Sequence, residues 1–246
     1  MPLARARLLS VSRYAVSFDG VDDYARVPHS DALNVASGNK ITIEAWAFLT
    51  GWQAGYWRGV LIDKRTENTA NYNWEFDASA MQFRVHAAGT KWIVSVPHSL
   101  NRWNHYAMTL DGPVLRGYLD GVLREERSDV PTTEANTVDL FIGQAVMGHA
   151  RAKGYVSEVR IYSRALSPEE VRHNFDYPWN PVRDGLVLWL RAHPDYVEDI
   201  DGDGMLEWVD LSGYGNHAKL YGAALVEVIQ PPKRVLNPAR VLAPAR

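Results

Sequence analysis

The stretch YVSEVRIYSRALSPEEV, residues 155–171, joins a strand pattern to the start of a helix in one fixed order. Its first half alternates with a period of two, as expected of a strand whose two faces differ. One face takes Val156, Glu158, Arg160 and Tyr162, and the other takes Ser157, Val159 and Ile161. The alternation therefore predicts a β-strand here.

The second half of the stretch has the signature of a capped helix. Ser167 is a favoured N-cap residue, Pro168 suits the first helical position, and Glu170 stands three residues after the cap. A carboxylate at that position can accept a hydrogen bond from the N–H of the cap residue. We therefore expect the strand to lead into a short α-helix.

Residues upstream predict a sandwich of antiparallel strands. Residues 41–48 alternate like a strand, and Asp111-Gly112 and Asp120-Gly121 are turn dipeptides between apolar or aromatic residues. Many short strands separated by Gly and Asp turns are typical of a sandwich rather than of a parallel sheet. The chain has 246 residues and 46% hydrophobic content, which is enough to bury a sizeable core.

Four blocks of sequence follow one another in a recognisable order. They are YAVSFDGVDDYARVP (residues 14–28), ITIEAWAF (41–48), NRWNHYAMTLDGPVLRGYLDGVLR (101–124) and LFIGQ (140–144). With the strand and helix described above, they resemble the laminin-G-like (concanavalin A-like) jelly-roll family over residues 14–176. The resemblance implies an all-β fold, an antiparallel jelly-roll β-sandwich with a short capped helix. This fold carries lectins, hydrolases, adhesion modules and scaffolds, so it does not select a function.

A linker at residues 177–183 is marked by Pro178 and Pro181. Beyond it, DGLVLWLRAH and EWVDLSGYGNHAKLYG resemble the opening of a second module, so residues 184–223 are predicted to be a partial jelly-roll-like segment. Such a short segment cannot build its own core, so its apolar strand either packs on this sandwich or adds to a sheet of a neighbouring copy.

Basic segments flank an acidic body, although the formal net charge is only -3. A predicted N-terminal arm at residues 1–13 has three arginines and no acid, and a Pro-rich tail at residues 224–246 has four basic residues against Glu227. These arms either reach phosphate or the acidic face of a neighbouring subunit, or are solvated termini. A homo-oligomer or larger assembly through residues 184–246 and the arms is one expectation, and specific nucleic-acid binding is not predicted.

Cysteine is absent from the sequence, which excludes a disulfide framework and a thiolate metal site. No apolar run approaches the roughly 20 residues that span a bilayer. The opening MPLARARLLSVSR lacks the apolar core of a secretory signal. We expect an extracellular or particle-surface protein whose export signal has been removed, whose export takes another route, or which leaves cells as part of a particle.

The sharpest chemical signal is DIDGDGMLEWVD at residues 199–210. Its spacing is that of a twelve-residue calcium loop, in which acidic side chains and one backbone carbonyl supply oxygen ligands. The predicted ligands are Asp199, Asp201, Asp203, Met205, Glu207 and Asp210. A structural calcium ion is the prediction, and the alternative is an exposed insertion whose Asp and Gly residues form turns.

The family resemblance also implies a cation at one rim of the sandwich. Asp19, Asp22, Asp23 and Glu158 occupy the corresponding blocks of this sequence. Ser157 stands where many relatives have Asp, which removes one possible ligand. Turn formation and strand pairing explain these acids adequately without an ion.

A hydrolase would need catalytic acids, and related glucanases carry them in an E-x-D-x-(x)-E strand pattern. Glu75 and Asp77 begin that pattern and share a strand face, as a retaining glycosidase pair requires. Ser79 and Ala80 occupy the positions of the third acid. The sequence therefore favours a non-catalytic protein, with glycoside hydrolysis as a distant alternative.

Aromatic residues favour a binding function, because their faces contact sugar C–H groups and protein partners well. The segment GWQAGYWRG, residues 51–59, places Trp52, Tyr56, Trp57 and Arg58 in a predicted loop after the central strand. Glycan contact, protein contact and local packing are all open interpretations. We expect a recognition or attachment module that binds a glycan or a surface protein. The alternative is a structural subunit of a virion or surface assembly held by its terminal arms.

Overall fold

The computed structural model describes residues 14–35, 38–66, 71–87 and 89–228. It contains one α-helix among these residues, α1 at Pro168–Asp176, and two 3₁₀ helices at Asp31–Leu33 and Pro194–Tyr196. The strands are β1 Tyr14–Asp19, β2 Tyr24–Val27, β3 Lys40–Trp52, β4 Gly59–Asp63, β5 Tyr72–Phe76, β6 Ala80–Ala87, β7 Thr90–Pro97, β8 Trp103–Asp111, β9 Val114–Leu119, β10 Val122–Arg127, β11 Leu140–Ile142, β12 Ala152–Tyr162, β13 Leu186–Arg191, β14 Val197–Glu198, β15 Glu207–Trp208, β16 Ala218–Tyr221 and β17 Ala224–Glu227.

These strands form two antiparallel sheets that pack face to face. Sheet A has the order β10-β9-β8-β3-β12-β1-β17, and β13 pairs with the C-terminal half of β12. Sheet B has the order β14-β15-β16-β2-β11-β4-β5-β6-β7. Their inner faces share one hydrophobic core, whose largest buried members include Trp74, Trp208, Tyr72, Tyr106, Phe76 and Phe83. The predicted antiparallel jelly-roll sandwich is confirmed.

The predicted helix cap is confirmed at the N-terminus of α1. The Ser167 hydroxyl accepts a hydrogen bond from the backbone N–H of Glu170 (3.2 Å), and the Glu170 carboxylate accepts one from the N–H of Ser167 (2.8 Å). Arg164 adds a bidentate pair to the same carboxylate, at 2.7 and 2.8 Å. The sequence signature therefore fixes where the helix begins.

Helix α1 covers the outer face of sheet A near one end of β3. The inner face of β3 contributes Ile41, Ile43, Ala45 and Ala47 to the core, as the alternation predicts. Trp46 and Glu44, on the outer face, are also buried. The Phe175 ring stacks on Trp46 with centroids 5.4 Å apart, and the Asn174 amide donates a hydrogen bond of 2.8 Å to Glu44.

The predicted faces of β12 need one correction. The register of β12 against β3 shifts between Val156 and Glu158, which marks a β-bulge at Ser157. A bulge inserts one residue into the alternation, so Val156 joins Val159 and Ile161 in the core instead of sharing a face with Glu158. Strict period-two counting is therefore wrong for this residue.

The segment beyond the predicted linker adds strands to both sheets of this chain. In sheet A, β13 pairs with β12 and β17 pairs with β1. In sheet B, β16 pairs with β2 and carries β15 and β14 beside it. Trp208 and Leu188 of this segment are fully buried in the common core. The predicted arm at residues 1–13 and most of the predicted tail, residues 229–246, lie outside the described residues.

No helix in the described ranges has both the length and the apolar character needed to cross a membrane. Helix α1 has only nine residues.

Candidate ligand-binding site

The predicted aromatic loop connects β3 of sheet A to β4 of sheet B, and Trp52 anchors its start. The Trp52 indole N–H donates a hydrogen bond of 2.7 Å to the carbonyl of Tyr56. The Trp52 ring lies edge-on to Phe76, with centroids 5.9 Å apart, and packs against the core. Trp52 is therefore a packing residue that closes the loop, not an exposed contact.

The other two aromatic residues of the loop face solvent. Tyr56 stacks on His149 with centroids 5.2 Å apart and remains 40% exposed. Trp57 is 73% exposed, more than any other large hydrophobic side chain among the described residues. The guanidinium carbon of Arg58 lies 4.4 Å from the centre of the Trp57 ring. This cation–π contact supports the ring from one side while much of it stays open.

Arg58 ties this loop to the outer face of sheet B. Its guanidinium lies 3.5 Å from the Asp77 carboxylate and 3.9 Å from Glu75, and it donates a hydrogen bond to the Gln82 side chain. Glu75 and Gln82 point outward because their neighbours Trp74, Phe76, Met81 and Phe83 fill the core. The loop therefore places Trp57 beside a polar surface built from β5 and β6.

Glu75 is the centre of an ion-pair network on that surface. It pairs closely with Arg84, lies 3.9 Å from Arg65 as well as from Arg58, and accepts a hydrogen bond of 3.1 Å from Asn73. The sequence pointed to Arg58 of this network but not to Arg65 or Arg84. The alternation of polar and core residues in β6 could have shown that its polar residues face outward. The sequence does not show which residues of other strands lie beside them.

The predicted catalytic pair, Glu75 and Asp77, lies in this network. Burial pushes the pKa of Asp77 upward, but hydrogen bonds from Ser79 and Ala80 outweigh it and hold that pKa below its usual value. A general acid of a glycosidase needs the opposite shift, a pKa raised towards neutrality. Glu75 is enclosed by three arginine side chains, which occupy its carboxylate oxygens.

Three of the six predicted calcium ligands come together. Asp199, Asp201 and Glu207 each offer a carboxylate oxygen, and these oxygens lie within 4.8 Å of one another. That spacing is compatible with a common calcium ion, whose oxygen ligands lie 2.3–2.6 Å away. The ammonium of Lys219 lies 3.2 Å from Asp201 and 3.4 Å from Glu207. The residues fit an ion, and the lysine is a competing cation in the same place.

Asp203 lies outside this group of three carboxylates, whereas the predicted Met205 carbonyl ligand stays a prediction. The Asp203 carboxylate pairs closely with Lys219 and accepts a hydrogen bond of 2.9 Å from the Met205 N–H. The hydrogen bonds to Asp203 and Asp201 raise the pKa of Lys219. Lys219 therefore neutralises part of the negative charge of the loop.

Asp210 lies in a different turn, which corrects the predicted ligand set. Its two oxygens accept hydrogen bonds of 2.8 to 2.9 Å from the N–H groups of Trp189, Ser212 and Asn216 and from the Ser212 hydroxyl. With both oxygens occupied and the residue buried, Asp210 anchors residues 210–216 to β13. We therefore remove Asp210 from the set.

The predicted rim acids also separate. Asp19, Asp22 and Asp23 lie together, and the Asp19 carboxylate accepts hydrogen bonds from Val21 (2.7 Å) and Asp22 (3.3 Å) in a tight turn. Glu158 instead accepts a hydrogen bond of 2.5 Å from the Trp189 indole and pairs with Arg160 at 2.6 Å. Glu158 is therefore not a member of the rim cluster.

Solved structures with this fold have low sequence identity to the chain. A candidate carbohydrate-binding protein from Bacteroides ovatus superposes with a TM-score of 0.68 at 18% identity, covering 89% of this chain and 60% of that one. A heptameric SAP-like pentraxin from Limulus polyphemus superposes with a TM-score of 0.51 at 13% identity, over 68% of this chain and 84% of that one.

Botulinum neurotoxin type C, whose cell entry depends on two ganglioside molecules, superposes with a TM-score of 0.53 at 11% identity, over 66% of this chain and 42% of that one. The chain thus spans about 60% of the Bacteroides protein and less than half of the toxin. The family model described as the concanavalin A-like lectin/glucanases superfamily, in its laminin G form, matches residues 19–172. The chain therefore belongs to the concanavalin A-like lectin/glucanase superfamily.

Proposed function

We propose that this protein is a non-catalytic recognition module that binds a glycan at the loop of residues 52–58. The observation that carries the proposal is Trp57, which is 73% exposed and yet held by Arg58. Exposing a tryptophan ring to water is unfavourable unless a partner covers it. Holding that ring in place before binding reduces the entropy lost on binding.

The polar surface beside Trp57 suits a sugar. A pyranose presents C–H groups on its faces, which pack on an indole ring, and hydroxyl groups at its edge, which need hydrogen-bond partners. Arg58, Arg65 and Asp77 keep about a fifth to a quarter of their side-chain surface exposed beside the ring. These groups can bind hydroxyls without moving far.

Two of the similar structures come from proteins named for glycan contact, the Bacteroides protein and the ganglioside-dependent toxin. At such low sequence identity, these structures indicate the fold alone. The proposal takes from them only that proteins with this fold can have glycan-binding sites. We extend the proposal to a place of action at an extracellular or particle surface, where glycans are displayed. A surface protein in place of a glycan is the alternative ligand.

Catalysis has little support at this site. The lowered pKa of Asp77 makes it a poor proton donor to a leaving group, and the Glu75 carboxylate is occupied by its arginine partners. The proposal therefore assigns the site to binding alone.

The assembly alternative has one observation in its favour. Tyr14 at the start of β1 pairs with Glu227 at the end of β17. Residue 14, which directly follows the predicted N-terminal arm, therefore lies beside residue 227 of the predicted tail at one edge of sheet A, and both predicted arms are basic in sequence. A subunit that engages an acidic neighbour through both arms is the second candidate function.

A structural calcium ion at Asp199, Asp201 and Glu207 is a further part of the proposal. Calcium would have to displace Lys219 from these carboxylates, because the ammonium already lies among them. Calcium titrated into the full chain should raise its melting temperature and give a binding heat. Replacing the competing cation in Lys219→Met should strengthen calcium binding, and no response in either protein would contradict the proposal.

A glycan array probed with the full chain and with Trp57→Ala tests the binding proposal. We expect specific retention of one glycan group by the wild type and its loss in the variant. Tyr214→Ala is a matched control, because Tyr214 is 61% exposed in the 210–216 turn. Equal retention by wild type and Trp57→Ala, or no retention at all, would contradict glycan binding at this loop.

A further inference from the structure

A second aromatic surface lies on the outer face of sheet A. Phe48 of β3 is paired with Trp103 of β8 on one side and with Tyr155 of β12 on the other. The Phe48 ring centroid lies 5.8 Å from that of Trp103 and 6.1 Å from that of Tyr155. The three half-buried rings therefore form one row across three neighbouring strands.

This row begins where the cover of sheet A ends. In the next row, Trp46 and His105 are buried beneath Phe175 of α1. Phe48, Trp103 and Tyr155 remain partly open to solvent. Helix α1 thus covers the row of Trp46 and His105, and the neighbouring row across the strands stays accessible to solvent.

The row leads into a cavity of about 210 Å³ beside Tyr155. Polar side chains in its lining include Ser17, Asp19, Asp23, Thr50 and Lys153. A concave site with an aromatic wall and a few converging polar groups is the usual composition of a small-molecule site.

The backbone shapes this cavity through a bulge. The register of β12 shifts between Lys153 and Gly154, and Gly154 has φ +146°. A Cβ atom on Gly154 would lie 2.2 Å from the Phe48 carbonyl oxygen. Glycine therefore lets β12 approach β3 closely at the point where the aromatic row meets the cavity.

We propose that this surface is a second glycan-binding site, which takes a neutral oligosaccharide with a terminal sugar in the cavity and the next units along Tyr155, Phe48 and Trp103. Asp19 and Asp23 outnumber Lys153 among the charged lining residues, so a sulfated or carboxylated glycan is repelled. Hydroxyl groups of a neutral sugar can pair with these carboxylates and with the ammonium.

A protein partner fits this surface less well. Three half-buried rings expose on the order of 200 Å², whereas each side of a standard protein interface buries about 800 Å². A glycan chain is narrow enough to follow one row. The row lies on the outer face of sheet A and the partners of Arg58 lie on that of sheet B, so the two sites share no residue, and the second adds a glycan contact to the proposed function.

Affinity electrophoresis of the full chain tests the proposal, in gels that contain galactomannan, mixed-linkage β-glucan or soluble starch, with heparin as the anionic probe. We expect at least one neutral polysaccharide, and not heparin, to retard the wild type. Tyr155→Ala should weaken the retardation at least fivefold, and Tyr155→Phe should retain most of it. Lys153→Ala, at an exposed position where folding is not at risk, should also weaken it.

The outcomes separate this site from the loop. Loss of binding in Trp57→Ala with none in Tyr155→Ala and Lys153→Ala overturns the second site and leaves the proposed function standing. Loss of binding in Tyr155→Ala and Lys153→Ala, with binding kept in Trp57→Ala, supports the second site and contradicts glycan binding at the loop. Failure of every neutral polysaccharide to retard the wild type overturns the second site. So does a concentration-dependent rise in mass that Tyr155→Ala abolishes, because a second copy of the chain would then occupy the row.

Discussion

The guanidinium of Arg58 lies 4.4 Å from the centre of the Trp57 ring and 3.5 Å from the Asp77 carboxylate. One side chain thus connects the most exposed aromatic ring among the described residues to the outer face of sheet B. The acid neutralises the cation, and the cation supports the ring. Besides its proposed contact with sugar hydroxyls, Arg58 has a positioning role, because it fixes the orientation in which Trp57 meets a ligand.

Removal of this support should weaken ligand binding while Trp57 itself remains. We expect Arg58→Met to lower affinity for the retained glycan about 3- to 10-fold, because the ring then loses its preorganisation. The ¹⁵N relaxation of the Trp57 indole should show greater motion in the variant, which a purely structural change elsewhere would not produce. Arg172→Met is a matched control, since Arg172 also lies over a ring, Phe175, and pairs with an acid, Asp176. Equal affinities and unchanged relaxation would contradict the positioning role.

Asp210 should be a stability determinant rather than a metal ligand. Replacing it in Asp210→Ala leaves four donors in the 210–216 turn and β13 without their acceptor, which should lower the free energy of unfolding by about 2–4 kcal/mol. Urea unfolding monitored by circular dichroism measures this change. Asp199→Ala changes an exposed residue, so without calcium it should lower the free energy of unfolding much less. A larger loss in Asp199→Ala than in Asp210→Ala would contradict the account.

Gly154 is predicted to tolerate no side chain. Gly154→Ala places a Cβ 2.2 Å from a backbone oxygen, so the strands must separate, and we expect a loss of about 3 kcal/mol or more in the free energy of unfolding. Gly148→Ala is the control, because Gly148 also has positive φ but open space around its Cβ position. That change should cost only about 1–2 kcal/mol of backbone strain. Similar losses in the two variants would contradict a close approach at Gly154.

His98 should make the fold less stable in mild acid. Burial lowers the pKa of His98 to about 4, so the folded protein keeps this ring neutral where the unfolded chain, with a pKa near 6.5, binds a proton. The contribution of neutral His98 to the free energy of unfolding is therefore complete above pH 6.5 and decreases as the pH falls towards 4. At pH 5 the loss is about 2 kcal/mol.

The measurement compares wild type with His98→Gln. Between pH 7 and pH 5, the free energy of unfolding should fall by about 2 kcal/mol less in the variant than in the wild type, since the variant lacks this group. The His98 ring signals of the folded wild type should not titrate over that range. Titration near pH 6.5 would contradict the burial of a neutral ring.

Local patterns predicted much of the fold. The S-P-x-E signature located the start of α1, and the Asp120-Gly121 dipeptide forms the two-residue turn between β9 and β10, with positive φ at both residues. These features depend on neighbours in sequence, so the sequence shows them. The bulge at Ser157 depends on the register against β3, more than 100 residues away, and period-two counting missed it.

The candidate sites were harder to predict for the same reason. The loop of residues 52–58 stood out by composition, but only packing against Phe76 distinguishes the anchor Trp52 from the exposed Trp57. Phe48, Trp103 and Tyr155 are each ordinary strand residues in the sequence. They become one surface because three strands align them, and that alignment is a property of the folded sheet.

The most direct test of the central claim is a two-dimensional ¹H–¹⁵N spectrum of the nine tryptophan indoles during titration with the glycan that the array identifies. The Trp57 signal, assigned by its absence in Trp57→Phe, should shift with ligand concentration, while those of the buried Trp74 and Trp208 stay fixed. A bound glycan that leaves the Trp57 signal unmoved would contradict recognition at this loop.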